Sequence, residues 1–284
     1  MTLARPLTRH PIAFAILLAG LALGAPGARD AGAAEPVLAS PWTPGVNSQA
    51  RLLAAGGPEP GSQVVYRAGL EIELKSNAHT YWRQPGDAGV PPQISFEGSR
   101  NLKSAELRYP APVRIDENGL QVFGYRRNVI LPIDVRPTNP AQPVRLSVRF
   151  TYAACDKICI PAEAVTALDF APADARGPNA GRLLMAAATL PERATNSGPV
   201  TLTPRVVSGR NKPTWQITVE RPRGPWRDLF VEAPEGWFFE TRRSGDGFEI
   251  AATEQPKDAR GLPPVRLTLT GPRDFEVKLD LPAP

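Results

Sequence analysis

Val144-Arg145-Leu146-Ser147-Val148-Arg149-Phe150-Thr151-Tyr152-Ala153-Ala154-Cys155 is the cleanest alternating run in the chain. It leads directly into Asp156-Lys157-Ile158-Cys159-Ile160-Pro161-Ala162-Glu163. The even positions Val144, Leu146, Val148, Phe150, Tyr152 and Ala154 are apolar, whereas Arg145, Ser147, Arg149 and Thr151 occupy odd ones. A period of two with one apolar face predicts a strand buried on one side. If that parity continues, Cys155 falls on the arginine side and faces solvent or a partner. An exposed cysteine at a strand end is unusual for a merely structural thiol. Ala162 to Phe170 reads as the return strand, with Ala164, Thr166, Leu168 and Phe170 on one parity.

Outward from this hairpin, Val64, Tyr66, Ala68, Leu70, Ile72 and Leu74 alternate with polar or small residues and predict a second strand. Gln49 to Ala54, Leu102 to Tyr109 and Val129 to Val135 predict others. Asn77 to Pro92 reads as a turn-rich loop pinned to the core by Tyr81 and Trp82. Pro110 to Phe123 reads as a long connection containing Asp116-Glu117-Asn118-Gly119, of the kind that tends to be functional or mobile. Beyond Ala171 the one plausible helix is Gly181 to Leu190, stopped by Pro191. Strands are expected near Leu202 to Val207, Trp215 to Glu220, Leu229 to Glu232, Gly247 to Ala252, Val265 to Thr270 and Phe275 to Leu281. The 33 prolines flank the apolar runs, where they end strands and block long helices.

Met1 to Ala34 reads as an export signal. Arg5, Arg9 and His10 precede the apolar run Ile12 to Leu23, and Gly32-Ala33-Ala34 offers a cleavage site. Without those residues, which carry three arginines and Asp30, the formal charge falls from +5 to +3. Neither that charge nor the scattered arginines argue for nucleic acid. No later apolar run is long enough to span a bilayer, so no transmembrane segment is expected in the mature chain.

Two cysteines in an exported protein are expected to pair. The loop they would close is small, and the chain-entropy model assigns it only about 2 kcal/mol, roughly half that of a bridge across most of a domain. That favours a local redox role over a staple, yet the residues alone leave both open. Lys157 favours a thiolate and Asp156 opposes it. A hydrolase would need His79 beside a cysteine that is expected to be oxidised. Zinc is disfavoured by the absence of any zinc-ligand spacing, and copper(I) suits a reduced cysteine pair somewhat better. Asp116 and Glu117 read as ordinary loop solvation. No phosphate loop, nucleotide fingerprint or serine elbow is present, and no cofactor or resident metal is expected.

The segment Tyr152 to Glu163, together with His79-Thr80-Tyr81-Trp82-Arg83-Gln84-Pro85-Gly86-Asp87-Ala88-Gly89, resembles the periplasmic N-terminal region of DsbD-like thiol:disulfide interchange proteins, in the ScsB-like branch. The resemblance implies an immunoglobulin-like sandwich whose catalytic pair, Cys155 and Cys159, takes electrons from a membrane protein and passes them to periplasmic partners. It implies a cap loop over the pair at Asp116 to Gly124, with Val122 or Phe123 as its apolar lid and Trp82 as a nearby aromatic. The membrane electron donor and the thioredoxin-like or disulfide-isomerase partners would be separate proteins. The expectation is therefore a mostly β chain with two immunoglobulin-like β-sandwich domains, residues 35–175 and 198–284, joined by a partly helical connector at 176–197. Its function would be periplasmic thiol-disulfide exchange. The alternatives are an interaction module with a structural disulfide or a copper-handling protein connected with copper tolerance.

Overall fold

A computed structural model describes residues 38–55, 66–75, 77–171 and 177–284. The proposed export signal, Met1 to Ala34, lies outside them. The described chain is mostly β. In order its elements are β1 (Thr43–Pro44), β2 (Ser48–Ala55), β3 (Tyr66–Leu74), β4 (His79–Gly86), β5 (Gln93–Ser95), β6 (Leu102–Leu107), β7 (Val113–Glu117), β8 (Leu120–Tyr125), β9 (Val129–Pro137), β10 (Val144–Cys155) and β11 (Cys159–Phe170). There follow α1 (Ala180–Ala188), β12 (Glu192–Ala194), β13 (Thr201–Val206), β14 (Thr214–Arg221), β15 (Asp228–Glu232), β16 (Phe238–Ser244), β17 (Gly247–Glu254), β18 (Val265–Thr270) and β19 (Phe275–Leu279).

The first core lies between two sheets ordered β1-β2-β3-β9-β6 and β11-β10-β4-β8-β7, with β5 paired to β10. The alternation of β10 is realised as read, because Val144, Leu146, Val148, Phe150, Tyr152 and Ala154 all enter this core. Leu52, Leu70, Leu131 and Ile133 meet them from the opposite sheet. This is an immunoglobulin-like β-sandwich, in which inward residues of two sheets interdigitate. Helix α1 buries Leu183 against Leu53 and Ala55, on the outer face of the first sheet.

The second core lies between sheets β12-β19-β18-β15 and β13-β14-β17-β16. Trp215, Ile217, Phe248 and Ile250 from one sheet pack on Leu229, Leu267, Leu269 and Val277 from the other. Residues 35–284 nevertheless form one compact unit. Phe230 of β15 leaves its own sandwich and packs in the first core, edge-on to Phe123 with centroids 5.0 Å apart. Arg83 of β4 makes a bidentate pair with Glu232 at 2.6 Å on both nitrogens and also reaches Glu276. Burial opposes the charge on Arg83, but these two carboxylates outweigh it and raise its pKa.

Two expected loops are strands. Asn77 to Pro92 contains β4, and Pro110 to Phe123 contains most of the β7–β8 hairpin. The physical signal for the hairpin is Asn118-Gly119, whose φ angles of +57° and +85° match the two-residue turn that suits twisted strands. β1, β5, β12 and β16 also fall outside the expected strands, since short or charged strands carry weak alternation.

Candidate redox site

The cysteines face each other across the end of the β10–β11 hairpin, as Cys155↔Cys159 in the register, and they are joined by a disulfide. The pairing of β10 with β4 then sets His79 directly opposite Cys155. Opposed residues in adjacent antiparallel strands project to the same face. Cys159, Cys155 and His79 thus form one row across three strands, on the face away from the main core.

That face is not open to solvent at Cys155, contrary to the expectation from parity. Cys155 is 0% exposed and packs with Tyr81, Ala153, Ile115 and Val122 in a small cluster of its own. The cover comes from the β7–β8 hairpin, which supplies Ile115 and Val122. At its base Gly124 pairs with Tyr81, and a Cβ there would stand 2.0 Å from the carbonyl oxygen of Thr80, so only glycine permits this close crossing of β4 and β8. Beyond that point the register shifts before Gly86 pairs with Val122. Cys159, by contrast, is exposed.

Around the sulfurs the polar groups converge. The Tyr81 hydroxyl lies 3.0 Å from Cys159 Sγ and 3.3 Å from Cys155 Sγ, and it donates to Glu117 Oε2 at 2.9 Å. Glu117 Oε1 stands 3.1 Å from Cys159 Sγ. A disulfide sulfur carries no hydrogen, so this last approach is a contact in the oxidised state and becomes a hydrogen bond only if the sulfur gains a proton. Burial, reinforced by the hydrogen bond and charge of Glu117, pushes the Tyr81 hydroxyl above its ordinary pKa, so it remains a donor. His79 packs edge-on against Tyr81, with centroids 5.6 Å apart. Burial lowers the His79 pKa, although Glu117 works against that shift, and the ring is neutral near pH 7.

The residues expected at the cap divide between two environments. Glu117 and Val122 lie at the disulfide; Asp116 is exposed, and its carboxylate accepts from the Gly119 amide at 3.3 Å within the turn. Phe123 and Trp82 belong instead to the main core, where both meet Phe230. Strand parity explains this correction, because Val122 and Phe123 project to opposite faces, as do Tyr81 and Trp82. Glu117 is accordingly not a solvated loop carboxylate, and Tyr81 is the aromatic at the sulfurs. Asn118-Gly119 is a sequence signal for the hairpin itself, whereas its placement over the sulfurs comes from the pairing of β8 with β4.

The hairpin is fixed from behind by the second sandwich. Arg114 of β7 donates to both carboxylate oxygens of Asp228, at 2.7 and 2.9 Å, and to the Leu229 carbonyl at 3.1 Å. It also donates to Thr241 and to Gln121, and its guanidinium lies 5.2 Å from the Phe123 ring centre and 5.3 Å from that of Phe230.

Comparison with known proteins bears on the region that holds this pair. Residues 58–171 match the family model described as thiol:disulfide interchange protein DsbD, N-terminal. This stretch is similar to a DsbD-like N-terminal region. Its fold is shared with the crystal structure of the N-terminal periplasmic domain of ScsB from Proteus mirabilis. The TM-score is 0.65 at 18% identity, over 87% of this chain and 99% of that one. No curated protein sequence matches. In the DsbD-like region both cysteines, the cap hairpin and His79 lie inside the matched residues, whereas the strands that hold the hairpin through Asp228 and Thr241 lie outside them. Among the described residues no helix is long and apolar enough to cross a membrane.

Proposed function

We propose that the DsbD-like region passes electrons between protein partners in the periplasm through the Cys155/Cys159 dithiol-disulfide couple. The observation that carries this reading is the asymmetry of the pair, with Cys159 exposed and Cys155 buried beneath Val122 and Ile115. Cys159 is the sulfur that meets partners. In the charging step a donor dithiol attacks Cys159, and the Cys155 thiolate leaves. The donor's second thiolate then breaks the mixed disulfide, releasing Cys159 and completing a two-electron transfer. In the delivering step the Cys159 thiolate attacks a partner disulfide. Cys155 resolves the resulting mixed disulfide and restores the internal bridge. Glu117 accepts a hydrogen bond from the Cys159 thiol while the pair is reduced, and the Tyr81 hydroxyl steadies that carboxylate.

Residues 35–175 form the redox module in this scheme, while 198–284 support the cap. The electron donor is a separate membrane protein, and the acceptors are thioredoxin-like or disulfide-isomerase proteins. The test is the reduction potential of the pair, measured by equilibration with dithiol buffers, together with trapping of partners on a Cys155→Ser variant. A potential in the range of periplasmic exchange proteins and a mixed disulfide at Cys159 are expected. A potential below about −300 mV with no trapped partner returns the bridge to a structural role.

A further inference from the structure

We propose that the reduced pair, together with His79 and Glu117, is a zinc site, so that the DsbD-like region alternates between thiol exchange and metal capture. This inference rests on the exchange reading only in requiring that the bridge can be reduced.

The geometry is independent of partners. One ligand atom each from His79, Glu117 and Cys155 lie within 4.8 Å of one another, and Glu117 also stands 3.1 Å from Cys159 Sγ. The register explains the convergence: Cys159, Cys155 and His79 share one row, and the hairpin tip brings Glu117 over it. A second observation points to a ligand. His79 is 5% exposed, yet its Nε2 has no hydrogen-bond partner, since Glu117 Oε2 at 3.5 Å does not satisfy it. A buried polar atom left without a partner costs about 1–3 kcal/mol, and an imidazole nitrogen with a free lone pair is a metal ligand in waiting.

Two thiolates, one imidazole and one carboxylate make a four-coordinate set of the kind zinc takes. Donor atoms on a tetrahedral zinc lie roughly 3.3–3.8 Å apart, so His79, Glu117 and Cys155 need to draw together by up to about 1 Å, while the two sulfurs part once the bridge is reduced. The oxidised bridge cannot serve, because the thiolate is the ligand form of sulfur. The chemistry balances in two steps. A dithiol donor gives two electrons and two protons to the Cys155–Cys159 disulfide and becomes a disulfide itself. One Zn(II) then displaces both thiol protons to form two Zn–S bonds, with His79 and Glu117 completing the shell. While the metal is held, neither sulfur is free to attack a partner. Copper(I) would be satisfied by the two soft thiolates and would not need Glu117.

The experiment uses the full mature chain, reduced with a dithiol, freed of it under anaerobic conditions, and assayed for two titratable thiols. Cobalt(II) then serves as the optical probe and zinc(II) as its competitor. The expected result is one cobalt per chain with thiolate charge-transfer bands, displaced by one zinc and absent from the oxidised protein. His79→Ala should weaken zinc by more than about tenfold, the least that even outer-shell partners contribute. Should that variant fail to fold by circular dichroism, Glu117→Gln, at the wetter edge of the site, is expected to weaken zinc in the same direction. Zinc affinity equal to that of a Cys155→Ser, Cys159→Ser variant overturns the site. So does capture of zinc or copper(I) by the thiols alone, unchanged by loss of His79 or Glu117. A bridge that resists reduction sinks the exchange reading as well; two free thiols without metal sink only this one.

Discussion

Replacing Arg114 by alanine should loosen the cover over Cys155 without touching either sulfur. The side chain is 23% exposed and its partner Asp228 25%, so this ion pair is mostly withdrawn from water. Arg114 donates two hydrogen bonds to that carboxylate and one to the Leu229 carbonyl. Charge-assisted bonds contribute about 1.5–3 kcal/mol each but are far from additive when one group makes several. A net loss of about 2–3 kcal/mol is therefore expected, part of it the cost of leaving Asp228 unpaired. If about 2 kcal/mol of that resists lifting of the hairpin, the open population rises roughly 30-fold, at 1.4 kcal/mol per factor of ten. The assay is alkylation of the Cys155 thiol in a Cys159→Ser background, followed by mass spectrometry, with the urea-unfolded chain as the reference rate. A core control, Leu267→Ala, lowers global stability without reaching the hairpin. The reasoning is refuted if Arg114→Ala alkylates within about twofold of its parent while its urea midpoint falls. It is equally refuted if Leu267→Ala accelerates alkylation as much, since access then follows global unfolding.

Cys159 in a Cys155→Ser variant should alkylate more than about tenfold faster than Cys155 in a Cys159→Ser variant, because only the second requires an opening event; equal rates would contradict the asymmetry. Val122→Ala should destabilise by about 2 kcal/mol through the cavity it leaves beside Cys155, read from urea denaturation, and a loss under about 0.5 kcal/mol would mean the lid is not packed. Gly124→Ala should destabilise by about 2–3 kcal/mol, because its Cβ meets backbone rather than a side chain that can move; an unchanged midpoint would refute the close crossing. The hydrogen bond from Arg193 holds the Glu106 carboxyl below its usual pKa, with burial opposing. Its stabilisation is therefore present above the unfolded-state pKa and lost as pH falls through the lower folded value. Because the Glu106 side chain is 47% exposed, the effect is below about 1 kcal/mol. The small gap in Tm between wild type and Glu106→Gln at pH 7 should narrow as the pH is lowered through the carboxylate range, and a gap that stays constant down to acid unfolding would exclude Arg193 as its cause.

The alternation of Val144 to Ala154, the proline punctuation and the cysteine spacing were enough to read a mostly β chain with a strand-end pair at Cys155 and Cys159. These are properties of period two and of chain connectivity, which act over a few residues. The same local reading placed Cys155 in solvent, because parity says only which face a side chain takes and not what covers that face. The cover comes from β7–β8, thirty to forty residues upstream, and only tertiary pairing brings Ile115, Val122 and Glu117 over the sulfurs. It likewise selects Tyr81 over Trp82 and sends Phe123 to Phe230 of the second sandwich. Composition and spacing alone predict that the cysteines pair; that one sulfur is sheltered, with His79 and Glu117 beside the bridge, follows from long-range register that no local pattern encodes.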